Sequence, residues 1–174
     1  QGNADAQFRL GRMYYYGQIL PQDYKMAAMW YQRAAAQGQL KAMNNLGNLY
    51  RTGEGVTQDY TEALRWLNRA ASNNHPTAQY NLGAMYDDSE GVTTNYQTAY
   101  NWYLKAANQG YAKAQTSIGW MYRHSRGVAQ DYEEAARWYR KAAMQGNTTA
   151  QSNLGEMYRD GKGVVQDLVM AYVL

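Results

Sequence analysis

Sliding the chain against itself by 36 residues brings Gly11, Gly47, Gly83, Gly119 and Gly155 into coincidence. The same shift aligns Tyr14, Tyr50, Tyr86, Tyr122 and Tyr158, and also Ala6, Ala42, Ala78, Ala114 and Ala150. Later in the unit it aligns Trp30, Trp66, Trp102 and Trp138, each followed by an alanine pair such as Ala34-Ala35 or Ala142-Ala143. A period of this length, kept over five units without a slip, restricts the chain to an array of small supersecondary units that bury their apolar faces on one another.

Each unit reads as two helices. In the first, Ala6, Leu10, Met13 and Tyr14 fall at helical spacing, and so do Tyr24, Ala27, Ala28, Tyr31, Ala34 and Ala35 further on. The second helix of each unit opens at Asp23, Asp59, Asn95, Asp131 or Asp167, residue types that cap helix N-termini. Glu134 stands three residues after Asp131, in the manner of a capping box, and with Glu133 it complements the helix dipole. A Gly-containing turn such as Gly53-Glu54-Gly55-Val56 separates the two helices, and Gly38, Asn74, Gly110 and Gly146 stand where a left-handed C-cap would end the unit. The repeated Gly inside the first helix costs about 1 kcal/mol relative to Ala. Close helix approach is expected to offset that cost, with the alanines of the second helix and the repeated Trp ring as the facing groups.

These residues carry a resemblance. The pattern A-x-x-N-L-G-x-x-Y, G-x-G-V, Q-D-Y-x-x-A and W-Y-x-K-A-A resembles the Sel-one-like repeat family, which is related to the tetratricopeptide repeats. The resemblance implies an all-α fold, a right-handed α/α superhelical solenoid of helix-turn-helix repeats, read as one repeat domain over residues 1–174. Its repeats are 2–37, 38–73, 74–109, 110–145 and 146–174, the last one shortened. An uncovered last repeat is expected to let the chain pair with another copy of itself. Ile19 in place of the second turn Gly, and Ser89 and Ser125 in place of the first, depart from the pattern and put the shape of those turns in question. The Q-D-Y and A-A-x-Q-G motifs look more bacterial than eukaryotic, with a lean toward a periplasmic or secreted protein.

Composition excludes several functions. The net charge is +3 and the basic residues are scattered rather than drawn into a stripe, so no nucleic-acid partner is expected. No apolar run reaches the roughly 18 residues of a membrane span, so no membrane insertion is expected. With no cysteine and only His75 and His124, in no ligand spacing, no metal or cofactor is expected. Asp87-Asp88-Ser89-Glu90-Gly91 lacks the alternating ligands of a calcium loop, and the turn glycines follow a helix rather than the strand a phosphate loop requires. Neither G-x-S-x-G nor S-x-x-K occurs, and the chain is not expected to be an enzyme.

The expected function is a scaffold holding a protein or peptide, and the resemblance implies a concave face lined by the first helix of each repeat. Positions on that helix that vary between repeats are the candidate contacts: Phe8, Arg12 and Tyr16, then Asn48 and Arg51, Tyr80 and Asp87, Trp120, Arg123 and His124, and Arg159. Trp120 stands out as the one Trp outside the 36-residue register, its equivalents being Arg12, Asn48, Ala84 and Glu156. Tyr80, one repeat earlier, is expected to form a neighbouring ring roughly 10 Å away, the helix packing distance. Aromatic anchors flanked by arginines are typical of interface hot spots and suit a partner with apolar and acidic side chains. The alternatives are a structural spacer or self-associating segment and, behind it, a glycan-binding or catalytic module.

Overall fold

The computed structural model describes residues 2–173, and among these the regular structure is helical throughout. Ten helices follow in pairs: α1 (Ala4–Tyr16) and α2 (Tyr24–Ala36), α3 (Leu40–Thr52) and α4 (Tyr60–Ser72), α5 (Pro76–Asp87) and α6 (Tyr96–Asn108), α7 (Ala112–His124) and α8 (Tyr132–Ala143), α9 (Thr148–Asp160) and α10 (Leu168–Val173). The chain forms two compact units, Gln1–Leu82 and Gly83–Leu174. The first is built on Tyr31, Met43, Leu46, Leu49 and Leu67, all fully buried; the second on Met85, Ile118, Met121, Tyr139 and Met157.

The expected caps form. Asp23, Asp59, Asn95, Asp131 and Asp167 each accept backbone N–H bonds from the first turn of the second helix, Asp59 from both Thr61 and Glu62. The capping box at Asp131 closes on one side only. Glu134 N–H donates to Asp131, but the Asp131 N–H is already taken by the Tyr122 carbonyl, and the Glu134 carboxylate turns to Arg137. That backbone bond recurs in all five repeats, from Asp23 to Tyr14, Asp59 to Tyr50, Asn95 to Tyr86 and Asp167 to Tyr158, so the repeated Tyr supplies the carbonyl that closes the hairpin.

The Gln of the Q-D-Y motif braces the same turn. The side-chain N–H groups of Gln22, Gln58 and Gln130 donate to the carbonyls of Tyr15, Arg51 and Arg123 and to the hydroxyls of Tyr24, Tyr60 and Tyr132. One side chain thus ties the end of the first helix to the start of the second. The turn changes at Ile19, which does not take the positive φ of its equivalents Gly55, Gly91, Gly127 and Gly163, and keeps its shape at the two serines. Ser89 and Ser125 adopt φ 61 and 56, the left-handed conformation that Gly53 adopts at 79. Ser125 Oγ donates to the Val128 carbonyl across the turn, and the Ser89 and Thr94 hydroxyls meet across the other.

The repeated Gly is a contact residue, but its partner is not the Trp. A Cβ on Gly11 would lie 2.6 Å from the Tyr31 ring, and one on Gly47 would lie 2.8 Å from Leu67. In the second unit Gly83 and Gly119 meet Tyr103 and Tyr139 in the same way. The residue after each Trp, about 100° further round the helix, therefore fills the hairpin. The Trp, buried at Trp66 and Trp138 and half-buried at Trp30 and Trp102, lies under a cation: Arg33 over Trp30 at 4.7 Å, Arg65 over Trp66 at 4.5 Å, Lys105 over Trp102 at 4.2 Å and Lys141 over Trp138 at 4.1 Å.

Candidate partner-binding surface

The first helices hold the candidate contacts, and each unit gathers its own. In the first unit Phe8 is 9% exposed, its ring 5.9 Å from that of Tyr31. What remains of its surface lines a groove of about 260 Å³ with Arg12, Tyr16, Asn44 and His75. The Arg12 guanidinium lies 5.5 Å over the Tyr16 ring, which is 53% exposed and set edge-on to Tyr15. Asn48 lines a second pocket beside Tyr16. Arg51 ends α3, where its carbonyl is held by Gln58, and Tyr80 is half-buried on α5. Phe8, Arg12, Tyr16 and Asn48 are brought together, with Phe8 serving chiefly as core.

In the second unit Trp120 is half-buried on α7, packed against the cluster of Tyr139, Leu154 and Met157. His124, one turn on, lies 4.7 Å from its ring, and the Arg126 guanidinium lies 4.8 Å from it. Arg126 also covers Tyr96 at 4.6 Å and pairs with Asp87 at 3.7 Å. Arg123 is bound to Glu156 at 2.9 Å, and Arg159 to the adjacent Asp160 at 2.8 Å. Asp87, Trp120 and His124 thus form one group, while Arg123 and Arg159 are engaged in ion pairs beside it.

Burial sets the protonation of this group. Desolvation, with help from Asp88, raises the Asp87 carboxyl above its ordinary range, against the pull of Arg126. Burial first, then Arg123 and Arg126, lowers His124, leaving it neutral at neutral pH. The positive charge at the Trp120 ring therefore comes from arginine. Arg126 and Tyr96 were not among the candidates, since one lies in a turn and the other opens a second helix. A signal was present: Asp87 and Arg126 are opposite charges 39 residues apart, the spacing at which Tyr15 meets Glu54 at 3.2 Å.

Among the described residues no group of three His, Asp or Glu side chains is placed to hold a metal ion, and no helix is long and apolar enough to cross a membrane. The sequence model of the Sel1 repeat matches residues 4–39, 40–75, 76–111, 112–147 and 148–174. The chain belongs to the Sel1 repeat family. The matched units open two residues later than the 2–37 phase and contain the same hairpins. A comparison with curated proteins gives no match.

Solved Sel1-type structures share the fold. A protective antigen of uropathogenic Escherichia coli with an SLR fold, c5321, is 38% identical with a TM-score of 0.90 over 98% of this chain and 36% of its own. The chain thus spans about a third of that antigen's length. A Sel1 repeat protein from Oxalobacter formigenes is 36% identical with a TM-score of 0.93, over 98% of this chain and 70% of its own. The immunity protein Pa5087 of Pseudomonas aeruginosa is 30% identical with a TM-score of 0.69, over 98% of this chain and 63% of its own. Sel1 repeat proteins are generally scaffolds for protein interaction, and these neighbours are bacterial.

Proposed function

We propose that this chain holds a protein or peptide partner on the exposed surface of its first helices, the surface the resemblance places on the concave side. The observation that carries the reading is Trp120. The repeat packs without a Trp there, as Asn48 and Glu156 at the same register show, yet here a half-exposed indole stands beside His124 and Arg126. A ring with a cation at its face and Arg123 nearby suits a segment carrying an apolar side chain next to acidic ones.

The test is selection of displayed peptides on the wild-type protein, followed by titration of the enriched sequences against Trp120→Ala. Enrichment of acidic-apolar peptides and roughly tenfold weaker binding by an intact, normally melting variant is the expected result. Equal binding by the variant overturns the Trp120 reading.

A second reading has its own observation. Val169, Tyr172 and Val173 on α10 are 72%, 92% and 72% exposed, which favours pairing with another copy of this chain. Sedimentation equilibrium of wild type against Tyr172→Glu distinguishes it: a dimer lost in the variant supports self-association, and a monomer in both rejects it.

A further inference from the structure

The pocket between the first two repeats holds two buried polar atoms with nothing to bond. It measures about 170 Å³ and is lined by Tyr15, Tyr16, Tyr31, Asn45, Asn48 and Leu49. Tyr31 is fully buried, and neither its hydroxyl nor the Asn48 Oδ1 has a hydrogen-bond partner. The Asn45 side chain faces the Tyr31 hydroxyl and draws its pKa down against burial, yet the pair falls outside hydrogen-bond geometry. The Tyr15 hydroxyl donates to Glu54. Buried polar groups are nearly always paired, so two orphans on one cavity, which has room for more than a single water, mark a place built for a guest.

The second unit shows what the same space looks like when the protein fills it. Arg123 and Glu156, which stand where Tyr15 and Asn48 stand, bridge at 2.9 Å. The Tyr139 hydroxyl, equivalent to that of Tyr31, also lacks a hydrogen bond, but it faces the Arg123 guanidinium. One interface earlier, Trp120 occupies the Asn48 position and Asp87 accepts from the Tyr103 hydroxyl at 3.5 Å. Of these three interfaces, only that between the first and second repeats has an uncharged residue at both positions.

The donor and acceptor pattern selects the guest. Asn48 Oδ1 requires a donor, and the Tyr31 hydroxyl is free to donate in return. A carboxylate brings no donor for Asn48, and burial already pushes the Tyr31 hydroxyl up to about 12, a sign that a negative charge is unwelcome there. A cation meets Arg12, stationed over Tyr16 at the edge of the pocket. A primary carboxamide offers an N–H donor and a carbonyl acceptor on one small uncharged group, and it satisfies the Asn48 amide whichever way that amide is turned. We propose that this pocket is a carboxamide subsite, taking a Gln or Asn side chain of a bound peptide between Tyr31 and Asn48. The assignment of a peptide as its source rests on the proposed partner-binding role of the first helices; the carboxamide chemistry does not.

The experiment is an NMR titration of the whole chain with N-acetylglutamine N-methylamide, in which the side chain is the one primary carboxamide, and with the N-methylamides of N-acetylglutamate and N-acetyl-leucine as probes of similar size that lack it. Saturable shifts at the Asn48 side-chain amide with the glutamine probe, roughly five- to tenfold weaker with the other two, are expected. Tyr31→Phe keeps the ring against Gly11 and removes only the hydroxyl, so it should melt no lower than wild type while binding the glutamine probe roughly fivefold more weakly or worse. Equal affinity for all three probes, unchanged affinity in Tyr31→Phe, or a pocket that retains only ordered water at saturating probe overturns the subsite. Failure of the Trp120 peptide selection with a positive glutamine titration rejects the larger surface and leaves the pocket standing; the converse rejects the pocket alone.

Discussion

A Cβ added to Gly83 would lie 2.7 Å from Cδ1 of Tyr103 and 3.2 Å from the Ala99 carbonyl oxygen. Tyr103 is 3% exposed and cannot swing away, and a backbone carbonyl yields even less. Gly83→Ala gains about 1 kcal/mol of helix propensity, but overpacking a closed contact costs about 1–3 kcal/mol. The variant should therefore melt several degrees lower, against the helix-propensity trend, and Gly83→Leu lower still. An unchanged melting temperature in both would show that the hairpin tolerates a wider spacing than its packing implies.

The 36-residue register made the helical hairpins, their caps and their turns legible, because each depends on residue types at fixed separations along the chain. It misassigned the partner of the repeated Gly. Trp30 and Tyr31 recur together, and adjacent helix positions differ by only about 100°, so periodicity alone does not say which ring turns inward. The size of the residue pointed to Trp; the structure places the smaller Tyr, or Leu67, against the Gly and sets the Trp under a cation. The group around Trp120 was half legible for a related reason. Its helix residues follow from the face of α7, whereas Arg126 arrives from the turn after it and Tyr96 from the preceding repeat.

His75 caps α5 through Nδ1, which accepts from the Ala78 N–H at 3.2 Å, the role that Asn147 plays for α9. Burial, then the neighbouring Lys41, lowers its pKa in the folded protein. As pH falls through about 6.5 the unfolded chain takes up the proton first, so stability is full above that pH and declines below it toward the lower folded value. Thermal melts between pH 7.5 and 5.5, each about one pH unit from the free imidazole, should show this decline. His75→Asn should keep the cap and remove this share of the slope, leaving that of His124, whose pKa is lowered in the same direction. An identical slope in the variant would exclude His75 as its source.

Gln58 donates to the Arg51 carbonyl at 2.8 Å and to the Tyr60 hydroxyl at 3.0 Å, joining the end of α3 to the start of α4. Gln58→Ala frees a carbonyl that sits at an exposed turn where water replaces the bond, so its loss should be small, about 0.5–1 kcal/mol. Asp59→Ala, one residue on, leaves the Thr61 and Glu62 N–H groups without their acceptor and should cost about 1–2 kcal/mol. Urea denaturation of the two variants should rank them in that order. The reverse order would mean that the Gln brace, rather than the cap, fixes the hairpin.

Arg126 serves three neighbours at once: the Tyr96 ring, the Trp120 ring and the Asp87 carboxylate. Removing it in Arg126→Ala forfeits two cation-ring contacts worth about 0.5–1 kcal/mol each and leaves Asp87 half-buried without its counter-charge. The Asp87 pKa, already raised by desolvation, should then rise further. For a carboxyl whose folded pKa exceeds its unfolded one, the folded state holds the extra proton, so stability from this group is greatest at low pH and declines as pH rises through the window between the two values. In Arg126→Ala that window should extend upward, making the variant's deficit larger at pH 7 than at pH 4. Adding Asp87→Asn removes the charge that Arg126 answered and should restore part of the loss at neutral pH. A double variant no more stable than Arg126→Ala would show that the arginine acts through the rings alone.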